Sequence, residues 1–254
     1  MLNVDRQKLI INTLLQEGSV KVVDLSREYD VGAETIRRDL KTIASKMDID
    51  LIYGGACIRD NMTSNIVEQN LNDKRNKEYT NKQIIAKKAA SLINTGDTIA
   101  LNSGSTVEYI IDYISDKAPI SIVTISMNVA LKALSIPNVD VYIPGGKLRS
   151  RSTTVVGPNV VDFIKSFNID KCFFGSSAVH LEKGVMHPVV DEVEVNMALL
   201  SVSNNKYLVA DSTKFNLTSL YTMSDIDVFD YFIVDENFKD EYVEILNEKD
   251  IKVY

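Results

Sequence analysis

The feature that most constrains this chain is an alternation that begins near residue 82 and runs to the last residues. Short apolar runs that read as strands fall over 98–101, 120–124, 139–143, 171–174, 207–210, 231–234 and 251–253. Between them, apolar residues recur every three or four positions, which predicts helices over 84–93, 106–114, 128–134, 158–167, 189–201 and 241–247. Strands that alternate with helices pair in parallel, because a parallel connection needs a dozen or more residues and a helix fills it. The expectation is a Rossmann-like α/β domain with helices on both faces of a parallel sheet. Such sheets bind ligands beyond the carboxyl ends of their strands.

The loops at those ends carry the chemistry. Asn102-Ser103-Gly104-Ser105-Thr106 joins a strand to a helix, with a glycine for close approach, hydroxyls as donors and unpaired N–H groups at the helix start. Thr124-Ile125-Ser126, Gly145-Gly146-Lys147, Gly175-Ser176-Ser177 and Asp211-Ser212-Thr213-Lys214-Phe215 fall at equivalent ends. Each alone is ordinary turn chemistry. Together, small residues, hydroxyls and lysines describe a site for a small, phosphorylated, hydroxyl-rich molecule. The candidate contacts are Asn102, Ser103, Gly104, Ser105, Thr106, Thr124, Gly145, Gly146, Lys147, Gly175, Ser176 and Lys214.

The first sixty residues follow a different pattern. Residues 4–17 place Leu9, Ile10, Thr13 and Leu14 on one stripe, and Gly18 stops the helix. A helix over 22–29, the turn Asp30-Val31-Gly32 and a helix over 33–46 with Ile36, Leu40 and Ile43 inward make a helix-turn-helix. The second helix of such a pair enters the major groove of double-stranded DNA. Its outward residues here are Ala33, Glu34, Thr35, Arg37, Arg38 and Lys41, and arginine suits guanine edges or phosphates. Periodicity alone equally allows a solvated face on which Arg37 and Arg38 pair with Glu34 and Asp39. Residues 50–58 read as two short strands around Gly54-Gly55, a wing that would bring Tyr53 and Arg59 near phosphates. The chain thus divides into a reading domain over 1–59, a polar linker over 60–80 and an α/β domain over 81–254.

Charge adds little. The formal net charge is −7, which excludes a generally basic nucleic-acid coat protein. The first sixty residues hold nine Lys and Arg against ten Asp and Glu, so DNA binding rests on a local face. No stretch has the apolar length of a membrane span, and the start has no signal-peptide character. Cys57 and Cys172 lack metal-ligand or disulfide spacing. A cytoplasmic protein without metal, cofactor or membrane partner is expected.

Thr35-Ile36-Arg37-Arg38-Asp39-Leu40 followed by Tyr53-Gly54-Gly55-Ala56 resembles the signature of the DeoR family of bacterial transcription regulators. Lys82-Gln83-Ile84-Ile85-Ala86, Gly104-Ser105-Thr106, Gly145-Gly146, Gly157 and Asp211-Ser212-Thr213-Lys214-Phe215 resemble that family's sensor motifs, so the likeness covers nearly the whole chain. The family's sensor is similar in fold to ribose-5-phosphate isomerase and glucosamine-6-phosphate deaminase, without their activity. The resemblance implies a repressor of carbohydrate genes relieved by a sugar phosphate. Half-site recognition by such readers implies a homo-oligomer, a dimer or tetramer. Glu192-Val193-Glu194-Val195 matches the family's E-x-E-V and adds Glu194 to the effector contacts. Five positions depart from the pattern: Gly32 for Ser, Tyr53 for His, Asn102 for Asp, and Asn196-Met197 for Lys-Arg.

The main alternative is a sugar-phosphate isomerase or deaminase, which needs a carboxylate or histidine over the substrate's carbon skeleton. His180, His187, Asp191, Glu192 and Glu194 are the candidates, but the loop over 175–181 has no carboxylate. A DNA-binding protein with a purely oligomerising second domain is the third reading. The residues favour a regulator over an enzyme.

Overall fold

The computed structural model describes residues 3–17, 19–44, 49–52, 54–58, 65–66, 71, 75 and 77–254. The chain divides into two compact units, Met1–Ser64 and Asn65–Tyr254.

The first unit contains α1 (Asn3–Glu17), β1 (Ser19–Lys21), α2 (Val22–Glu28), α3 (Ala33–Ala44), β2 (Ile49–Ile52) and β3 (Gly55–Ile58). The strands form an antiparallel sheet in the order β1-β3-β2. The core gathers Ile10 and Leu14 of α1, Val22 and Leu25 of α2, Ile36, Leu40 and Ile43 of α3, and Val20, Ile49 and Ala56 of the sheet. These are the inward positions of the helical stripes, and Ser26 sits half-buried beside them with its hydroxyl donating to Val31 O at 2.5 Å. Gly55 has a steric reason: a Cβ there would lie 2.0 Å from Val20 O on the neighbouring strand. The third strand, β1, is what closes this sheet. The expected stop at Gly18 lies outside the described residues.

The second unit opens with β4 (Asn65–Ile66) and α4 (Tyr79–Ser91), then β5 (Thr98–Leu101), α5 (Ser105–Ile110), β6 (Ile120–Thr124), α6 (Met127–Ala133) and β7 (Val139–Tyr142). Next come β8 (Lys147–Leu148), β9 (Val155–Val156), α7 (Pro158–Lys165), β10 (Ile169–Gly175), β11 (Ala178–His180) and β12 (Gly184–His187). It ends with α8 (Val190–Ser201), β13 (Ser203–Val209), β14 (Thr218–Ser219), β15 (Tyr221–Ser224), β16 (Tyr231–Ile233), α9 (Asp240–Glu248) and β17 (Lys252–Val253).

Seven strands make the main sheet in the order β17-β16-β13-β10-β5-β6-β7. Every pairing in it is parallel. Side chains alternate across it as a strand requires. Ile99, Leu101 and Phe173 point to one face, covered by Ile85, Ala86 and Ala89 of α4, Val107 and Ile110 of α5, and Val129 and Ala133 of α6. Ala100, Cys172 and Phe174 point to the other, covered by Val160 and Ile164 of α7, Val195 and Leu199 of α8, and Leu246 of α9. Burial pushes the Cys172 thiol up to about 12, so this cysteine is an inert core residue.

Chain order runs outward from the middle of the sheet in both directions: β5, β6, β7 one way and β10, β13, β16, β17 the other. The reversal falls between β5 and β10, and a crevice at the carboxyl ends of a parallel sheet opens at such a point. Two features depart from the alternation read in the sequence. β11, β12 and β15 form a separate antiparallel sheet, and β4 pairs in parallel with β14. Asn65, Ile66, Leu71 and Arg75 of the expected linker belong to the second unit.

Candidate functional site

In the first unit α3 presents two unlike faces. Ile36, Leu40 and Ile43 are buried. Asp39 is also buried, 2% exposed: Arg6 Nε donates to its Oδ2 at 2.6 Å and Gln7 Nε2 to its Oδ1 at 3.0 Å. Asp39 therefore ties α3 to α1 and is not the partner of Arg38. Glu34, Thr35, Arg37, Arg38 and Lys41 are exposed and Ala33 is half-buried. Arg37 Nη1 meets Glu34 Oε2 at 3.1 Å, with both side chains largely in solvent. A surface pair of that kind contributes about 0 to 1 kcal/mol and yields readily to a phosphate or base. Tyr53 and Arg59 lie outside the described residues.

In the second unit a cavity opens at the reversal between β5 and β10. Its walls are Ser103, Gly104, Ser105 and Thr106 after β5, Gly175, Ser176 and Ser177 at the end of β10, and Lys214 after β13. Gly104 has φ +142°, a backbone that side-chain-bearing residues rarely adopt, and it immediately precedes α5. Lys214 Nζ stands 4.0 Å from Oδ2 of the fully buried Asp211, whose Oδ1 accepts from Thr213 N at 3.2 Å. All of these but Ser177 are expected effector contacts, seven in number, brought to one place by the sheet.

The other expected contacts are placed elsewhere. Asn102 is 1% exposed and brackets the Gly175 peptide: its Oδ1 accepts from Gly175 N at 2.8 Å and its Nδ2 donates to Gly175 O at 3.0 Å. It holds the two central strand ends together from behind the cavity. The same Nδ2 lies 3.5 Å from Asn196 Oδ1, so two departures from the family pattern touch each other. Thr124 is fully buried, donating to Leu101 O at 2.6 Å and accepting from Ser126 N at 3.1 Å. Gly146, Lys147 and Glu194 line a second groove with Gly157 and Asp191, where Lys147 Nζ is 3.5 Å from Asp191 Oδ2; Gly145 is exposed beside it.

The cavity also gathers residues that the loop reading missed: Leu71, Lys77, Lys82, Ser152, His187, Pro188 and Glu192. Lys82 is 2% exposed and its ammonium donates to Lys77 O. Glu192 is equally buried; its Oε1 accepts from Arg149 Nε at 2.9 Å and Ser152 Oγ at 2.6 Å. Its Oε2 lies 3.4 Å from His187 Nε2. His187 Nδ1 lies 3.2 Å from both the N and the O of Val189, while Nε2 faces Glu192. The carboxylate is thus engaged by three protein groups. Lys82 and Glu192 were visible as motif residues; Lys77, Ser152 and His187 come from connections whose meeting no local pattern records.

A wing-bearing helix-turn-helix followed by an α/β unit with a polar, lysine-rich cavity defines a ligand-responsive DNA-binding regulator. Residues 6–61 match the DeoR-like helix-turn-helix domain and residues 77–236 match the DeoR C terminal sensor domain. A putative aga operon transcriptional repressor of Escherichia coli O157:H7 is 34% identical over 98% of this chain and 92% of its own length. The glycerol-3-phosphate regulon repressor of Escherichia coli K12 is 28% identical over 92% of each. This chain belongs to the DeoR family of transcription regulators. It is a regulator and not an enzyme.

Among solved structures, ribose 5-phosphate isomerase from Plasmodium falciparum matches 53% of this chain and 52% of its own, at 20% identity and TM-score 0.39. The eIF2B beta subunit from Chaetomium thermophilum matches 67% and 56%, at 14% identity and TM-score 0.45. Among the described residues no helix is long and apolar enough to cross a membrane, and no group of His, Cys, Asp or Glu has metal-site geometry.

Proposed function

We propose that this chain is a cytoplasmic repressor of carbohydrate-metabolism genes, and that a phosphorylated sugar in the cavity of the second unit controls its operator binding. One observation carries the reading: Lys77, Lys82 and Lys214 line the same cavity as Ser103–Thr106 and Ser176. Lysines beside hydroxyls and a helix start, with Glu192 already engaged by Arg149 and Ser152 and with Asp211 4.0 Å from Lys214, favour an anionic ligand such as a phosphomonoester. Ser152, His187 and Glu192 supply polar contacts for a hydroxyl-bearing carbon chain beyond the phosphate. Relatives named for the aga operon and the glycerol-3-phosphate regulon point to the same ligand class.

In this reading Thr35, Arg37, Arg38 and Lys41 of α3, with Ala33 and Glu34 at its start, face the major groove. Tyr53 and Arg59 contact the flanking backbone. The protein acts as a homo-oligomer, because readers of this kind engage paired half-sites. The test is a mobility shift on DNA upstream of the chain's own gene, with and without fructose 1-phosphate, glucose 6-phosphate, galactosamine 6-phosphate and glycerol 3-phosphate. At least one is expected to weaken binding about tenfold, the usual scale of allosteric coupling. Lys214→Glu should keep DNA binding and lose that response. No change with any phosphomonoester, in DNA binding or in melting temperature, sinks the reading.

A further inference from the structure

The wing of the first unit is fastened along one side by β1. Val20 stands opposite Ala56 and Lys21 opposite Gly55, while β2 places Ile52 opposite the same Gly55. Lys21, Gly55 and Ile52 therefore make the last rung of the sheet before the turn at Gly54. Val22 N donates to Gly54 O at 2.7 Å, which ties the start of α2 to that turn. The tip of the wing and the start of α2 thus form one corner, joined through backbone. Lys21 is the cation of that corner. It is extended, with φ −105° and ψ 135°, so strand alternation holds to the end of β1. Val20 points into the core and Lys21 is exposed on the opposite face. Among the described residues no hydrogen bond or ion pair engages its ammonium, whereas Arg6 is committed to Asp39 and Arg37 to Glu34. The exposed charges of α2 are Asp24, Arg27 and Glu28, and Asp24 stands in the first turn. A carboxylate there complements the positive end of α2 and keeps anions off its backbone amides. An anion at this corner is met by the Lys21 side chain.

We infer that Lys21 clamps a phosphate of the DNA backbone at the foot of the wing and so positions α3 in the groove. This rests on α3 being the reading helix. With α3 in the major groove, the wing follows the flanking backbone and the corner goes with it. Phosphate contacts carry no sequence information; they fix register and orientation. Lys21 suits that task because its corner is held to β3 by the ladder and to Gly54 by the Val22 bond. A phosphate at Lys21 therefore fixes the sheet and, through the shared core of Val20, Ile36 and Leu40, the helix. The contribution is large for one side chain. The first sixty residues hold nine Lys and Arg against ten Asp and Glu, so attraction to DNA depends on the few cations that no acid engages.

Equilibrium binding of the full chain to two duplexes tests this, one from upstream of its own gene and one of random sequence and equal length. Each is titrated at several salt concentrations between about 50 and 200 mM. Lys21→Gln should weaken binding to both duplexes by the same factor, about three- to tenfold at the lowest salt. It should also reduce the slope of log affinity against log salt by about 0.9 for each bound protomer, the counterions of one phosphate. The ratio of the two affinities should not change. Lys21→Arg should keep the slope, since a guanidinium also holds a phosphate. Lys21→Ala serves if the Gln variant does not fold. The random duplex decides the clamp even where the upstream DNA holds no operator. An unchanged slope overturns the clamp, and so does a loss confined to the upstream duplex. Arg37→Ala with Arg38→Ala separates the two readings. If that variant loses the preference for upstream DNA while Lys21→Gln leaves the slope intact, the clamp falls and α3 remains the reader. If it keeps the preference, the role of α3 falls and the clamp with it.

Discussion

Asn102 and Asn196 show how far one side chain can be read. The Gly175 peptide offers a donor and an acceptor, and the Asn102 amide answers both, at 2.8 and 3.0 Å. An ionised aspartate could accept from Gly175 N but could not donate to Gly175 O. The family pattern expects Asp at the first position and Lys at the second. Their contact here turns two departures into one exchange, a charged pair for a neutral one. The exchange is imperfect, because Asn196 Nδ2 is buried without a hydrogen-bond partner, a cost of about 1 to 3 kcal/mol. Asn102→Asp alone should destabilise the second unit by about 3 kcal/mol, since it buries an uncompensated charge. Asn196→Lys alone should cost a similar amount, and the double variant should recover about 2 kcal/mol of the sum. Urea unfolding of the four proteins measures the coupling; strictly additive costs would refute the exchange.

At the scale of elements, α3 separates stability from function by face. Asp39 sits in a buried ion pair, and its removal strands Arg6, which is 6% exposed. Asp39→Ala should therefore cost the first unit about 3 to 5 kcal/mol. Arg37→Ala with Arg38→Ala should change stability by no more than about 0.5 kcal/mol and abolish specific operator binding. Retained specific binding in that double variant removes α3 from the recognition role. The same helix marks the limits of reading from sequence. Its apolar stripe was legible because a period of 3.6 records which face is buried, and the main strands were legible as apolar runs because both faces of the sheet are covered. Asp39 was not legible, since its partner Arg6 is far away in sequence and a charged residue in the stripe looks solvated. β11, β12 and β15 were missed because no helix separates β11 from β12 or β14 from β15, so they fall outside the strand–helix alternation. The side of the cavity built by the strand-end loops was visible, because small residues at strand ends leave a local signature. His187 and Ser152 reach it through a short antiparallel sheet and the loop between β8 and β9, which only tertiary pairing brings together.

At the scale of the molecule, the two units have separate cores. Ile10, Leu14, Ile36 and Leu40 belong to one; the sheet of the second unit packs two others on its faces. Units with their own cores unfold as separate cooperative steps when little of either core depends on the other. Calorimetry of the full chain should then resolve two transitions. Asp39→Ala should lower the midpoint of one and leave the other in place. A phosphomonoester at about a hundredfold its dissociation constant adds about 2.7 kcal/mol to whatever binds it. For a unit of this size that raises a midpoint by about 5 to 10 °C, and only the transition that Asp39→Ala leaves alone should move. Operator DNA should do the reverse, raising the transition that Asp39→Ala lowers. Reciprocity adds a finer expectation: with operator bound, the shift produced by the phosphomonoester should shrink, because each ligand weakens the hold of the other. Equal shifts with and without operator would mean that the cavity and α3 do not communicate, whatever each of them binds.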